Sequence, residues 1–196
     1  MSKKLYHSGI KNHVARNTLT KANERRNWRI YADFAQVLIA ETGKLYAHEN
    51  TFFNDINHMA YALDGTTIDL CLQMFPWAKF RQNKGAVKMH TLLDLQGSIP
   101  TFIKITQGSV HDVNILDQLP IEAGAFYIMD MGYIDYQRLF RIQQAGGFFV
   151  IRAKENMAFD PVYSHCVHKD LGIQVDQAIK FTHQQSQIKY PAHLTD

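Results

Sequence analysis

The stretch AFYIMDMGYIDYQRLFRIQQAGGFFVIRAK, residues 125–154, decides how the chain is read. Its apolar run climbs to Asp130 and reads as a buried strand. DYQRLFRIQQAGG, residues 135–147, puts Leu139, Phe140 and Ile142 inward at helical spacing and stops on Gly-Gly. FFVIRAK, residues 148–154, is a strand again. Such a strand–helix–strand unit is parallel, with a right-handed crossover.

Working outward, residues 51–63 read as a strand region running into Asp64. GTTIDLCLQMFPWAKFRQNKG, residues 65–85, is amphipathic and interrupted by Pro76. It reads as a short helix or an irregular excursion, then a basic loop. AVKMHTLLDL, residues 86–95, alternates as a strand, and Gln96-Gly97-Ser98 is a hairpin turn. IPTFIKITQG, residues 99–108, returns beside it, with Pro100 favouring an edge or end position. SVHDVNILDQL, residues 109–119, reads as a short helix with Ser109 and Asp112 as a capping-box-like start. The expected fold is therefore α/β: a mixed sheet of three antiparallel strands, then parallel ones, with helices.

Both ends differ from this centre. Residues 17–42 read as a helix capped by Asn17 or Thr20, with Trp28, Tyr31, Ala32, Ala35, Leu38 and Ile39 on one face and Gly43 as its stop. After about residue 160 the pattern weakens to two possible strands, GIQVDQAIKF being the clearer, and no closing helix is expected. The division is a basic helical segment at 1–50, a core at 51–159 and the start of a β region at 160–196.

At 196 residues and 46% hydrophobic, the chain can bury a real core. No apolar run approaches the ~18 residues of a membrane span, and no N-terminal signal pattern is present. Cys71 and Cys166 are far apart and form no CxxC. They fit a reducing cytoplasm and suggest neither zinc nor disulfides. Residues 1–30 hold eight Lys/Arg against one acid, Glu24, while the rest holds 13 Lys/Arg against 17 acids. A basic end suggests an anionic partner, nucleic acid first, although a solvated helix face explains it equally well.

Asp64 and Asp130 each follow an apolar run. If their strands are neighbours, about 4.8 Å apart, the carboxylates converge at one edge. A hard divalent cation resolves their repulsion, and Mg²⁺ suits one or two carboxylates with positions left for water and phosphate. Two such ions can clamp both oxygens of an in-line phosphoryl transfer. Strand-end aspartates also bend turns or cap helices, and that explanation stands beside the metal. No GxGxxG or Walker pattern points to a nucleotide.

Lys79, Arg81, Lys84 and Lys88 cluster around the basic loop and could hold a phosphate backbone. Arg152 and Lys154, two apart, would share one strand face. Trp77 and Phe75 read as core, with stacking on a displaced base as the alternative. His111 and Asp112 start a helix, Asp94 is a turn residue, and His165 and His168 read as surface residues.

The blocks ALDGTTIDLCLQMFPWAKFR, GAVKMHTLLDLQGSIPTFIKITQGSVHDVNILDQLP, GAFYIMDMGYIDYQRLF and FFVIRAK together resemble the catalytic core of bacterial insertion-sequence DDE transposases, the IS-four family above all. The resemblance runs from about Lys4 to Phe181. It implies an RNase H-like fold, two Mg²⁺ ions with Mn²⁺ as a substitute, and cleavage and strand transfer of double-stranded DNA. It also implies a homodimer in a synaptic complex and a place at the nucleoid of the bacterial cytoplasm. Asp64, in Asp64-Gly65-Thr66, matches the family's first aspartate, and Asp130 its second. Arg152 and Lys154 match residues that contact DNA.

The chain also departs from the family. The third carboxylate belongs to a pattern Tyr-x2-Arg-x3-Glu-x6-Lys, and no tyrosine here has an arginine three residues on. Glu155 follows a strand and has the wrong context. Met131 stands where a basic residue is common. Residues 160–196 resemble the start of the family's all-β insertion. The resemblance thus implies a core cut at both ends, with little strand transfer alone. The alternatives are a non-catalytic DNA-binding or dimerising remnant, and a nuclease using Asp64, Asp94 and Asp130.

Overall fold

A computed structural model describes residues 14–46, 59–73, 75–82, 84–167, 170 and 172–192. Two compact units divide the chain after Leu45. In the first, α1 (Arg16–Arg25) and α2 (Arg29–Tyr46) replace the single helix expected over 17–42. The break comes at Asn27, whose side-chain oxygen accepts from Arg29 N at 3.0 Å. Such Asn-to-backbone bonds compete with the helix ladder and start a new helix instead. Neither expected cap acts, since α1 begins after Ala15 without a side-chain cap and Thr20 Oγ1 donates back to Arg16 O. Gly43 does not stop α2, which runs on to Tyr46. Of the predicted apolar face, Ala32, Ala35 and Ile39 are half-buried, and Trp28, Tyr31 and Leu38 are exposed.

The second unit is built on one mixed sheet. Its strands are β1 (Ala60–Leu70), β2 (Lys79–Arg81), β3 (Lys84–Asp94), β4 (Ile99–Gln107), β5 (Phe126–Met129) and β6 (Phe148–Ile151). The order is β2-β3-β1-β5-β6, with β4 also on β3. β3 lies antiparallel to β1 and β4, while β1–β5 and β5–β6 are parallel. This is the expected mixed α/β sheet. Pro100 sits on β4, which pairs with β3 alone, at a position where a missing N–H is tolerated.

One expectation fails inside the sheet. Residues 65–70 are not a helix or an excursion but the second half of β1, paired with β3 from Gly65↔His90 to Leu70↔Gly85. Thr66, Thr67 and Ile68 are β-branched, and a full-length partner strand lets that preference act. Residues 71–73 and 75 are irregular and lead to a 3-10 turn at Pro76–Ala78.

The helix α3 (Tyr136–Gln144) crosses from β5 to β6 as predicted. Asp135 caps it, accepting from Arg138 N at 3.1 Å. It stops where Gly146 takes φ +79° and Gly147 N bonds to Ile142 O. Leu139 and Ile142 enter a core shared with Tyr61, Leu63, Leu92, Ile115, Tyr127 and Met129. Residues 112–117 form a 3-10 helix rather than an α-helix, and His111, not Ser109, is its uncapped start.

Downstream, β7 (Phe159–Ser164) and β8 (Gln177–Phe181) pair antiparallel as a separate two-stranded sheet. A short helix not foreseen from sequence, α4 (Gln184–Lys189), follows. Phe181 and Tyr190 on either side of it pack into the main core against Tyr136, Phe140 and Phe149. Burial pushes the Tyr190 phenol up to about 12.

Candidate active site

The parallel pair β1–β5 ends its ladder at Leu63↔Met129. Both residues are buried. The next residues along the two strands are Asp64 and Asp130. Side chains alternate across a strand, so both aspartates turn to the opposite face, and both are exposed. Neighbouring strands lie about 4.8 Å apart, so the backbones of Asp64 and Asp130 come out as neighbours at this edge. Asp64 is not at a strand end, because β1 continues past it, with Asp64 paired to Thr91. Asp130 does leave its strand. It opens a 3-10 turn over Met131–Tyr133, and its Oδ1 accepts from Gly132 N at 2.8 Å. Phe126, Ile128, Phe148 and Val150 share the face of the two aspartates, and Ile128, Phe148 and Val150 are exposed.

Behind the edge, on the buried face, lies a polar cluster the sequence did not announce. Lys88 Nζ donates to Asp112 Oδ1 and to Val110 O, both at 3.0 Å. The Lys88 side chain is 14% exposed. His90, fully buried, contacts Thr106 Oγ1 through Nε2 at 3.0 Å. Burial pulls the His90 imidazole below its usual range. The Asp112 and Asp64 carboxylates oppose that shift, and the Lys88 ammonium reinforces it. Burial raises the Tyr133 phenol, and the Asp112, Asp64 and Asp130 charges add to it. The legible signal was the inward spacing of Lys88, His90 and Leu92 on one strand, a polar stretch on a core face.

The other candidates scatter. Lys88 is spent on Asp112 and is not presented to solvent as the loop lysines are. This also corrects Asp112, which pairs with Lys88 instead of capping a helix. Lys79, Arg81 and Lys84 are exposed around the β2–β3 hairpin, and Arg81 lies 5.2 Å over the Phe80 ring. Trp77 and Phe75 are not core: Trp77 is 60% exposed and meets Phe75 edge-on at 6.3 Å. β6 ends at Ile151, so Arg152 and Lys154 lie exposed beyond the strand and share no strand face. Asp94 turns its carboxylate to Gln96 N, at the far end of β3 from the hairpin. Among the described residues no three His, Cys, Asp or Glu side chains come together as a metal site. His168 lies outside the described residues, and His165 packs against Tyr163.

Residues 57–193 match the transposase DDE domain, well over half of the chain. The chain belongs to that family. The DDE-domain match spans β1, β3, β5 and both aspartates. A Sinorhizobium fredii protein assigned as a transposase is 32% identical over 144 residues, covering 74% of this chain and 38% of its own length. A Geobacillus stearothermophilus protein assigned as the transposase of an insertion-sequence element is 30% identical over 95 residues, covering 48% of this chain and 25% of itself. The DDE-domain chain thus spans under two fifths of the curated relatives it matches. No helix among the described residues is long and apolar enough to cross a membrane.

Proposed function

We propose that this chain is the catalytic core of an insertion-sequence DNA transposase, with an RNase H-like fold of the IS-four type. The observation that carries the reading is the Leu63↔Met129 register, which sets Asp64 beside Asp130 on an open face. The donor set fits a hard cation: one exposed carboxylate on β1 and a second just past the end of β5, with no cluster of three His, Cys, Asp or Glu formed around them among the described residues. Asp64 and Asp130 would hold Mg²⁺, or Mn²⁺ in its place. When bound, such ions supply Lewis acidity to the attacking and leaving oxygens. A water oxygen, and later a 3′-hydroxyl, attacks phosphorus in line, and the opposite P–O bond breaks.

Lys79, Arg81 and Lys84 on the hairpin, with Arg152 and Lys154 beyond β6, hold the DNA backbone in this reading. Double-stranded element ends and target DNA are the partners, in a homodimeric synaptic complex at the bacterial nucleoid. A second reading is that the chain binds DNA without cutting it. Titration with Mn²⁺, followed by paramagnetic broadening of amide signals, tests the metal reading directly. Broadening centred on Asp64 and Asp130, lost in Asp64→Asn and in Asp130→Asn, supports it. Broadening elsewhere, or none, sinks it. A gel shift with element-end DNA then separates a binding module from an inert one.

A further inference from the structure

Gly65 lies inside a ring of polar groups that the proposed reaction does not use. A β-carbon there would sit 3.1 Å from Tyr133 Oη, 3.2 Å from His90 Nδ1 and 3.5 Å from Asp112 Oδ1. Tyr133 is 2% exposed and His90 is 0% exposed. Among the described residues, Tyr133 Oη and His90 Nδ1 are the buried side-chain atoms with no hydrogen-bond partner. Native proteins satisfy nearly all such atoms, with ordered water where protein groups do not reach. Two orphaned atoms aimed at one spot, across from a residue with no side chain, call for one small shared partner.

We propose that Tyr133, His90 and Asp112 hold one ordered water molecule against Gly65, and that this water pins the turn carrying Asp130 to β3. The donors and acceptors close. With His90 Nε2–H donating to Thr106 Oγ1, Nδ1 is an acceptor. Burial keeps the imidazole neutral and the Tyr133 phenol protonated. Tyr133 therefore donates to the water, which donates one proton to His90 Nδ1 and one to Asp112. Asp112 retains its bond from Lys88. An anion would meet the Asp112 carboxylate. A divalent cation would find one carboxylate, already neutralised by Lys88. A neutral molecule with two donors and one acceptor fits all three groups.

The consequence reaches Asp130 through its turn. Tyr133 N bonds to Asp130 O, and Gly132 N donates to the Asp130 carboxylate. A tethered Tyr133 ring holds this turn, and Gly65 directly follows Asp64. Tyr133, His90 and Asp112 are thus positioning residues for both carboxylates. That role rests on reading Asp64 and Asp130 as the catalytic pair, whereas the water site does not.

The test uses the isotope-labelled 196-residue chain and NMR, with no metal added. Cross-relaxation between a long-lived water and the Gly65 α-protons is expected, with His90 as the Nε2–H tautomer. Gly65→Ser places a hydroxyl in the ring and abolishes the water signal. Tyr133→Phe speeds exchange of the Gly132 amide with solvent about tenfold. Tyr127→Phe, which strips a different buried phenol, leaves Gly132 unchanged. Absence of a long-lived water at Gly65, or a Tyr133 proton bonded directly to His90 Nδ1, overturns the site. A Gly132 amide indifferent to Tyr133→Phe overturns the positioning role. Failure of Mn²⁺ to bind would leave both signals intact, so the two readings fail separately.

Discussion

Leu63 and Met129 are register partners across the parallel β1–β5 pair, and this pairing puts Asp64 and Asp130 one step further on. Any slip by one residue would turn one aspartate into the core. The core contacts of Tyr61, Leu63, Tyr127 and Met129 hold that register.

Neutralising either aspartate should not destabilise the fold. Both are exposed, and two like charges on adjacent strands repel. Asp64→Asn and Asp130→Asn should keep stability within about 0.5 kcal/mol, or raise it. Asn at 130 retains an oxygen for Gly132 N. Urea unfolding of both variants, beside the Mn²⁺ titration, checks that metal loss is not misfolding.

Lys88 and Lys84 should separate cleanly. Lys88→Ala leaves a half-buried Asp112 without its cation, a cost of about 1–3 kcal/mol in chemical denaturation. Lys84→Ala, on an exposed hairpin, should leave stability unchanged and weaken DNA binding with a shallower salt dependence. Equal stability of the two variants would contradict the burial of the Lys88 pair.

Asp117 gives a pH signature. Its carboxyl is held below the usual carboxylate range, first by the Arg138 hydrogen bonds and then by the Arg138 and Arg141 charges, against a burial contribution of opposite sign. A lowered folded-state pKa contributes stability above the unfolded value, and that stability fades as pH falls through the folded one. Asp117→Asn should therefore lower Tm at pH 7, with the gap to wild type closing below about pH 4. Asp117 is exposed and Arg138 half-buried, so solvent screening keeps the effect under about 1 kcal/mol, and it shrinks in 1 M salt.

Gly146 should resist substitution. Its φ of +79° is strained for any side chain, and a β-carbon would press to 3.2 Å on Ala123. Gly146→Ala should cost about 1–2 kcal/mol by thermal or urea unfolding. Gly43→Ala, in the α2 interior with open space around it, should stabilise by about 0.5–1 kcal/mol.

The sequence by itself determined the elements whose signals are local. The β5–α3–β6 unit with its Gly-Gly stop and the β3–β4 hairpin were legible, because period and turn chemistry act within a few residues, whereas the Asp135 cap was seen only in the structure. It also marked Asp64 and Asp130 as a pair to test. Tertiary structure decided what depends on distant partners. β1 runs past Asp64 because β3 is long enough to pair with it. Asp112 turned from cap to ion-pair partner because Lys88 arrives from β3, and Lys88 left the basic surface for the same reason. Trp77, apolar and central in its segment, stayed in solvent because nothing among the described residues buries it. The ring around Gly65 gathers residues from positions 65 to 133. No window of sequence holds them together, and only the packed sheet brings their polar atoms to one point.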